Sequence, residues 1–161
     1  MTGYSKVLSI AVSLWLCSTG HAQSNPDDIK AAGCLITTRD GFVIVQNRLL
    51  DRLQLPIGRH EPGESARQTA ARETLEETGL EVETDDIAFK VGDQKVFVYF
   101  CRPKSGTVDS DKLVARDQVE VSRVMIVNPI TLQTPEGEKI TTPWRFPQTH
   151  WLLSALWPMV Q

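Results

Sequence analysis

One stretch of 23 residues, from Gly58 to Leu80, constrains this chain more than any other part of it. It reads GRHEPGESARQTAARETLEETGL. A glycine opens it, a glutamate follows after five residues, and an Arg-Glu pair follows after seven more. A Glu-Glu pair and a Gly-Leu pair then close it. Each of these residue types makes up only a small share of average composition, so this spacing indicates a motif rather than chance.

The middle of the stretch predicts a helix from Ser65 to Thr78. Ser65 and Gln68 have the spacing of a capping box, and Gly79 suits the left-handed position that ends a helix. The interior is rich in Ala and Glu and contains no proline. One side of this helix is predicted to be buried, and it consists of Ala71, Thr74, Leu75 and Thr78.

Three glutamates occupy the other side of the predicted helix. At 100° per residue, Glu73, Glu76 and Glu77 fall within a sector of about 100°. Like charges at this spacing weaken a helix, so we expect a cation to offset them. Carboxylate oxygens suit Mg²⁺ or Mn²⁺, whereas the scattered histidines argue against zinc. For such glutamates alone, a solvated acidic face is the alternative.

The complete pattern resembles the Nudix box, G-x5-E-x7-R-E-U-x-E-E-x-G-U with U apolar, although Thr74 stands where a larger aliphatic residue is usual. The resemblance implies an α+β fold, a Nudix-type α/β/α sandwich with a mixed β-sheet between helices. It also implies a Mg²⁺-dependent pyrophosphohydrolase, with Mn²⁺ as a possible substitute, acting on a nucleoside diphosphate linked to another group. The alternative is a non-catalytic nucleotide- or diphosphate-binding domain of the same fold.

The same resemblance assigns roles inside the motif. Glu76 and Glu77 are expected to bind the metal, together with the backbone carbonyl of Gly58. Glu73 is expected to be either a further ligand or the general base that deprotonates the attacking water. Both roles stay open at this point.

Two more features of the motif and its surroundings follow from the resemblance. Arg72 is expected to be structural, pairing with Glu64 rather than touching the substrate. Family members often take one more metal-binding acid from a strand well downstream of the box. Glu120 and Asp117 are the candidates, and a plain exposed acid is the alternative for each.

Several side chains outside the motif have a structural interpretation beside a functional one. Arg48 and Arg52 could meet phosphate or belong to a solvated loop. Phe97 and Tyr99 could stack on a base or belong to the core. Three C-terminal aromatic residues could line a pocket, but we expect them to anchor a terminal helix; they are Trp144, Phe146 and Trp151.

The first 22 residues are predicted to be a secretory signal peptide. Lys6 provides a positive start, and residues 7–16 are apolar apart from two serines. Gly20 and Ala22 are small residues at positions −3 and −1 of a cut before Gln23. The apolar run is short for a membrane span, and an uncleaved anchor is the alternative. We therefore expect export to the periplasm or beyond, with residues 23–161 forming a single Nudix hydrolase domain.

The net charge bears on which partners the chain can bind, and the cysteines bear on the redox state of its compartment. Cleavage removes Lys6 and changes the formal charge from −3 to −4, and there is no basic run. Neither value favours nucleic-acid binding. The resemblance to the Nudix family implies a small-molecule diphosphate as the partner. The mature chain keeps Cys34 and Cys101, which could form a disulfide in an oxidising compartment or remain buried thiols.

The remaining elements are predicted from residue patterns. Strand-like runs cover residues 31–38 and 42–47, joined by a hairpin turn at 39–41. Residues 48–54 are predicted to form a loop. Further strands are predicted at 80–83, 87–91, 95–102 and 118–127, and a terminal helix at 147–157. Most pairings are expected to be antiparallel.

Overall fold

The computed structural model describes residues 29–91 and 95–161. The predicted signal peptide lies outside the described residues. Within them the strands are β1 (Ala31–Leu35), β2 (Phe42–Asn47), β3 (Arg52–Gln54), β4 (Ile57–Arg59), β5 (Val82–Val91), β6 (Val96–Pro103) and β7 (Val121–Val127). The α-helices are α1 (Ala66–Thr78) and α2 (Pro147–Leu156), and short 3₁₀ helices cover Ser110–Lys112 and Trp157–Met159.

The strands form two sheets. The larger has the order β4-β1-β6-β5, and the smaller has the order β3-β2-β7. β1 and β6 run parallel, and the other pairs in both sheets are antiparallel. Helix α1 and the box loop connect β4 to β5. This arrangement confirms an α+β fold with a mixed sheet between helices.

Alternation along β6 separates the two sides of the larger sheet. Phe97, Tyr99 and Cys101 lie in the cluster that α1 covers. Val98 lies in the other cluster, with Leu153 of α2. Successive side chains of a strand point to opposite faces, so one short run supplies both cores. The larger sheet is therefore the layer between α1 and α2.

Helix α1 begins and ends as its sequence predicts. The Ser65 side chain accepts a hydrogen bond from the Gln68 N–H, and Gln68 Oε1 accepts one from the Ser65 N–H at 2.8 Å. Gly79 ends the helix with φ of 76°, the left-handed conformation that glycine adopts without steric cost.

Most predicted strands are present, with shifted boundaries. The turn at 39–41 is confirmed by the hydrogen bond from the Thr38 N–H to the Gly41 carbonyl, although β1 and β2 belong to different sheets. The two strands predicted at 80–83 and 87–91 are one strand, β5, with register shifts after Thr84 and Ile87. β3 and β4 were not predicted, because each has only three residues and neither has a periodic pattern of its own.

The C-terminal helix is held only in part as predicted. Trp144 stacks on His150 of α2 with ring centroids 5.7 Å apart, as expected of an anchor. Leu153 is fully buried, and Trp157 packs edge-on against Phe42 with ring centroids 5.4 Å apart. Trp151 is 71% exposed and Phe146 is 46% exposed, so the expectation that they anchor the helix is wrong. The side of α2 that faces the core is the one carrying Leu153, and Trp151 lies away from it.

None of the helices among the described residues has the length and apolar character needed to cross a membrane.

Candidate functional site

Strand β4, which carries the first glycine of the motif, lies directly against helix α1 because both β4 and α1 contact β1. Gly58 is in register with Ala32, and Ile57 with Gly33. A Cβ on Gly58 would lie 2.0 Å from Glu73 Oε2, so no larger residue fits there without displacing the glutamate. The first glycine of the motif is thus required by the close approach of the Glu73 carboxylate.

Glu77 is the most buried acid of the motif, with 3% of its surface exposed. Its Oε2 accepts a hydrogen bond from the Ile57 N–H at 2.8 Å, which joins the helix to the loop. Burial raises the pKa of the Glu77 carboxyl to about 8, although this hydrogen bond by itself lowers the pKa. The negative charges of Glu73, Glu120 and Asp117 raise it further.

Glu73 occupies the space between the loop and the helix. Burial raises the pKa of its carboxyl, and Arg72 opposes the increase through a hydrogen bond and its charge. The charges of Glu76 and Glu120 add to the increase. A carboxylate in this setting can serve as a base or as a ligand, so both roles predicted for Glu73 stay predictions.

Arg72 connects the loop to the helix, as predicted. Its Nε donates to Glu64 Oε1 at 2.8 Å and its Nη2 to Glu64 Oε2 at 3.1 Å, a bidentate pair. Nη2 also donates to the Arg59 carbonyl at 2.9 Å. Nη1 donates to Glu73 Oε1 at 2.8 Å and to Glu76 Oε2 at 3.1 Å. The guanidinium therefore orients the carboxylates of the motif.

The buried side of α1 differs from the predicted one. Thr74 and Thr78 are fully buried as expected, but Ala71 and Leu75 are only partly buried. Glu73 and Glu77 are buried instead. The prediction put the buried side of the helix opposite these glutamates, and it was wrong because β4 and the 114–121 segment cover their side. The burial of these glutamates matters for function, because repulsion between their carboxylates is stronger away from water.

The 114–121 segment brings the downstream acids to this helix. The N–H groups of Arg116 and Asp117 donate to the Glu76 carbonyl at 2.8 and 2.9 Å. Glu120 follows in the turn before β7, one residue before the strand begins. Its charge acts on both Glu73 and Glu77, which agrees with its expected place near the box.

The other candidate residues have structural contacts. Arg48 donates to backbone carbonyls of the 114–121 segment, and Arg52 donates to the carbonyl of its neighbour Asp51. Phe97 and Tyr99 are core residues. The guanidinium of Arg67 lies 5.0 Å from the centre of the Tyr99 ring.

Two supporting side chains were missed by sequence reasoning. Thr69 Oγ1 donates to Glu64 Oε2 at 2.8 Å, and His60 Nδ1 lies 2.9 Å from the same hydroxyl. Thr69 precedes Glu73 by four residues, so it lies on the same helix face. That spacing could have revealed Thr69, whereas the position of His60 depends on the path of the loop.

The donor set has the chemistry that a hard divalent cation needs. In residues 29–91 and 95–161, no three His, Cys, Asp or Glu side chains converge at ion-binding distance, since Glu73 and Glu76 share Arg72 Nη1. Carboxylates nevertheless outnumber the one guanidinium beside them, and the pKa of the Glu77 carboxyl is raised to about 8. Oxygen donors with uncompensated charge fit Mg²⁺ or Mn²⁺. Glu73, Glu76, Glu77 and the Gly58 carbonyl would hold the ion.

Two surface cavities lie elsewhere. One of about 450 Å³ is lined by Leu35, Phe100 and Arg102, and an adjacent one of about 610 Å³ by Arg39, Thr107 and Val160. Both are at the ends of β1 and β6, and neither includes a carboxylate of the box. The electrostatics of the box, rather than cavity size, therefore mark the candidate site.

Comparisons with known proteins agree with this geometry. The family model of the NUDIX domain matches residues 28–152. An ADP-ribose pyrophosphatase from Streptococcus suis superposes with a TM-score of 0.56 at 18% identity, covering 78% of this chain and 86% of that chain. An Ap4A hydrolase from C. elegans gives 0.57 at 17% identity, covering 81% and 98%. A UDP-X diphosphatase gives 0.55 at 15% identity, covering 89% and 68%. No curated protein matches by sequence.

Proposed function

Because this chain belongs to the Nudix family of hydrolases, we propose that it is an exported, Mg²⁺-dependent pyrophosphohydrolase of nucleoside diphosphate derivatives. The observation that carries the proposal is the buried pair Glu73 and Glu77 against Ile57 and Gly58 of β4. The pKa values of both carboxyls are raised by burial and by neighbouring acids. Ionising both buried carboxyls costs free energy unless a further cation is present, so binding of a divalent cation to them is favoured.

The reaction is substitution at phosphorus. A water molecule attacks one phosphorus of the diphosphate, the bridging P–O bond breaks, and two phosphate-bearing products leave with release of a proton. A bound Mg²⁺ supplies charge neutralisation on the phosphate oxygens. In this proposal Glu73 would accept the proton of the water, and the hydrogen bond from Arg72 Nη1 would orient its carboxylate.

The substrate class is tested first with a panel. Residues 23–161 are incubated with Mg²⁺ or Mn²⁺ and with ADP-ribose, UDP-sugars, Ap4A and isoprenoid diphosphates. The proposal expects hydrolysis of at least one nucleoside diphosphate derivative that EDTA abolishes. Tight binding of a panel member without turnover would support the non-catalytic binding domain instead.

The metal role of Glu77 is tested by Glu77→Gln. The amide oxygen can still accept the Ile57 N–H, so the fold should persist while metal-dependent turnover is lost. Glu136→Gln, on an exposed turn, removes the same charge and is the control. Undiminished turnover of Glu77→Gln at saturating Mg²⁺ would refute the metal assignment.

The base role of Glu73 is tested separately by Glu73→Gln. Loss of a general base lowers kcat by about 10²–10⁴. If kcat is retained and only the Mg²⁺ requirement rises, then Glu73 is a ligand and the base lies elsewhere.

Export has its own support and its own test. The disulfide between Cys34 and Cys101 suits an oxidising compartment, in agreement with the predicted signal peptide. N-terminal sequencing of the protein from the periplasm or medium should begin at Gln23. Full-length protein confined to the cytoplasm would contradict export and would bring nucleotide-pool substrates back into consideration.

A further inference from the structure

The segment that carries Glu120 is attached to the end of helix α1. The Val114 N–H donates to the Thr78 carbonyl at 3.2 Å, and the two N–H groups at 116 and 117 share the Glu76 carbonyl. Asp117 Oδ1 then accepts the N–H groups of Val119 and Glu120, at 2.9 and 3.2 Å. These bonds fix the first part of the segment, and they bring Glu120 to the last turn of α1, where Glu77 lies.

Arg48 attaches the second part of the same segment. Its N–H donates to the Glu120 carbonyl at 2.7 Å, and its Nε donates to the Gln118 carbonyl at 2.8 Å. Its Nη2 donates to the Val121 carbonyl at 3.3 Å. Arg48 therefore bonds to the main chain on both sides of Glu120 as well as at Glu120 itself.

The guanidinium geometry explains why this residue is arginine. Two nitrogens of one rigid planar group reach carbonyls three residues apart, whereas a lysine ammonium is a single point donor. The side chain of Arg52, six residues from the box, donates to the carbonyl of Asp51 next to it and, within the described part of the chain, makes no such link to a distant segment.

We propose that Arg48 is the positioning residue that holds Glu120 toward Glu73 and Glu77, so that Glu120 can join their metal site. The inference rests on the proposed function, because it gives Glu120 a role in binding a divalent cation. It assigns Arg48 to the main chain of the 114–121 segment rather than to the substrate phosphates. Glu120 lies in the turn before β7, and Arg48 lies directly after β2, so the acid and its support come from different parts of the chain.

The experiment measures Mn²⁺ affinity directly. Purified residues 23–161 are freed of metal with EDTA, and free Mn²⁺ is titrated by EPR, which needs no substrate. Arg48→Ala should weaken Mn²⁺ binding by about tenfold, in the range found when residues supporting metal ligands are removed. Glu120→Gln should weaken it to a similar extent. The double variant should be no weaker than Glu120→Gln alone, since Arg48 acts through Glu120.

Two further variants complete the set. Arg52→Ala removes the same charge from the start of the neighbouring strand β3 and should keep Mn²⁺ affinity within about twofold. Arg48→Lys should recover only part of the affinity. Melting temperatures identify any variant that does not fold, and Arg48→Lys then replaces Arg48→Ala in the double variant.

The results separate this inference from the proposed function. Unchanged Mn²⁺ affinity in Arg48→Ala with a raised KM would overturn it, because Arg48 would then contact substrate. Additive losses in the double variant would also overturn it. If the wild-type protein hydrolyses no diphosphate but the variants lose Mn²⁺ affinity as described, the proposed function fails and the positioning role of Arg48 stands.

Discussion

Arg72 and Glu77 illustrate how unequally charge is compensated among the residues of the box. Hydrogen bonding to Arg72 lowers the pKa of the Glu64 carboxyl to about 2. Glu77 has no such partner among the described residues, and its one recorded hydrogen bond comes from the uncharged Ile57 N–H. The Arg72 guanidinium therefore stabilises the charge of Glu64, whereas Glu77 remains subject to repulsion from the neighbouring acids.

The raised pKa of Glu77 makes the metal-free protein less stable as pH rises. The pKa of this carboxyl is about 8 in the folded protein and its ordinary value is 4.5, so the folded state binds the proton more tightly between these values. Its contribution is complete below about pH 4.5 and is lost as pH rises through 8. Urea unfolding in EDTA should show falling stability from pH 5 to 8. Glu77→Gln should flatten this decline, and Glu136→Gln should not; an equal decline in all three proteins would contradict the assignment.

Thr74 carries a hydroxyl that the core does not use. It is fully buried, and its Oγ1 has no hydrogen-bond partner in the described part of the chain. Thr74→Val keeps the shape and removes the desolvated hydroxyl, so we expect about 1 kcal/mol of added stability in urea unfolding. Thr78→Val is the matched control, because Thr78 Oγ1 donates to the Thr74 carbonyl at 2.6 Å and accepts from the Leu80 N–H. It should destabilise, and stabilisation by both changes would refute the explanation.

At the scale of elements, the pairing of β1 with β4 and the packing of β4 on α1 depend on two glycines with different neighbours. A Cβ on Gly58 would meet the carboxylate of Glu73, which is the end of a flexible side chain. A Cβ on Gly33 would lie 2.2 Å from the Pro56 carbonyl oxygen and 2.6 Å from Ile57 Cβ. The first clash can be relieved by turning Glu73, whereas the second requires the strands to separate.

Gly58→Ala and Gly33→Ala should therefore fail in different ways. Gly58→Ala is expected to lose most turnover with a small change in melting temperature, because it displaces Glu73. Gly33→Ala is expected to lower the melting temperature strongly, because it parts β1 from β4. Calorimetry and a Mg²⁺-dependent assay on the two variants measure both quantities. Equal melting temperatures would show that the β1–β4 pairing tolerates a side chain at Gly33.

At the scale of the whole molecule, one covalent bond joins distant parts of the chain across the central sheet. Cys34 of β1 and Cys101 of β6 form a disulfide with a Cα–Cα distance of 5.5 Å, and they are 67 residues apart in sequence. The closed loop includes β4 and all of α1. The Cys34 N–H also donates to the Pro56 carbonyl at 3.0 Å, so the disulfide supports the start of β4 through this hydrogen bond.

Removing the disulfide should destabilise the molecule substantially. For a loop of this length, the chain-entropy model gives about 4 kcal/mol. Cys34→Ala/Cys101→Ala should unfold at lower urea, and adding a reductant should shift the wild type in the same direction but leave the variant unchanged. Thiol titration of unfolded, unreduced protein supplies a second check, since two free thiols would contradict the bond.

Local interactions account for what could be predicted from the sequence. Caps and turns involve neighbours along the chain, so Ser65, Gln68 and Gly79 determined the bounds of α1. The spacing of the box predicted which carboxylates share one side of the helix, and the resemblance to the Nudix family implied that Arg72 pairs with Glu64. A continuous run of β-branched and aromatic residues predicted β6. These interactions form within a few residues and do not depend on the rest of the fold.

Contacts between distant segments were decided only by the tertiary structure. Burial of Glu73 and Glu77 depends on β4 and the 114–121 segment covering α1, and neither leaves a pattern within the helix. The bonds from Arg48 to the segment around Glu120 join positions some seventy residues apart. Cys34 and Cys101 could be buried thiols or a disulfide until the parallel pairing of β1 with β6 placed them on one face. The sequence alone determined the composition of the site, and the packing of strands determined its electrostatics, because burial is a property of what the whole chain brings against a residue.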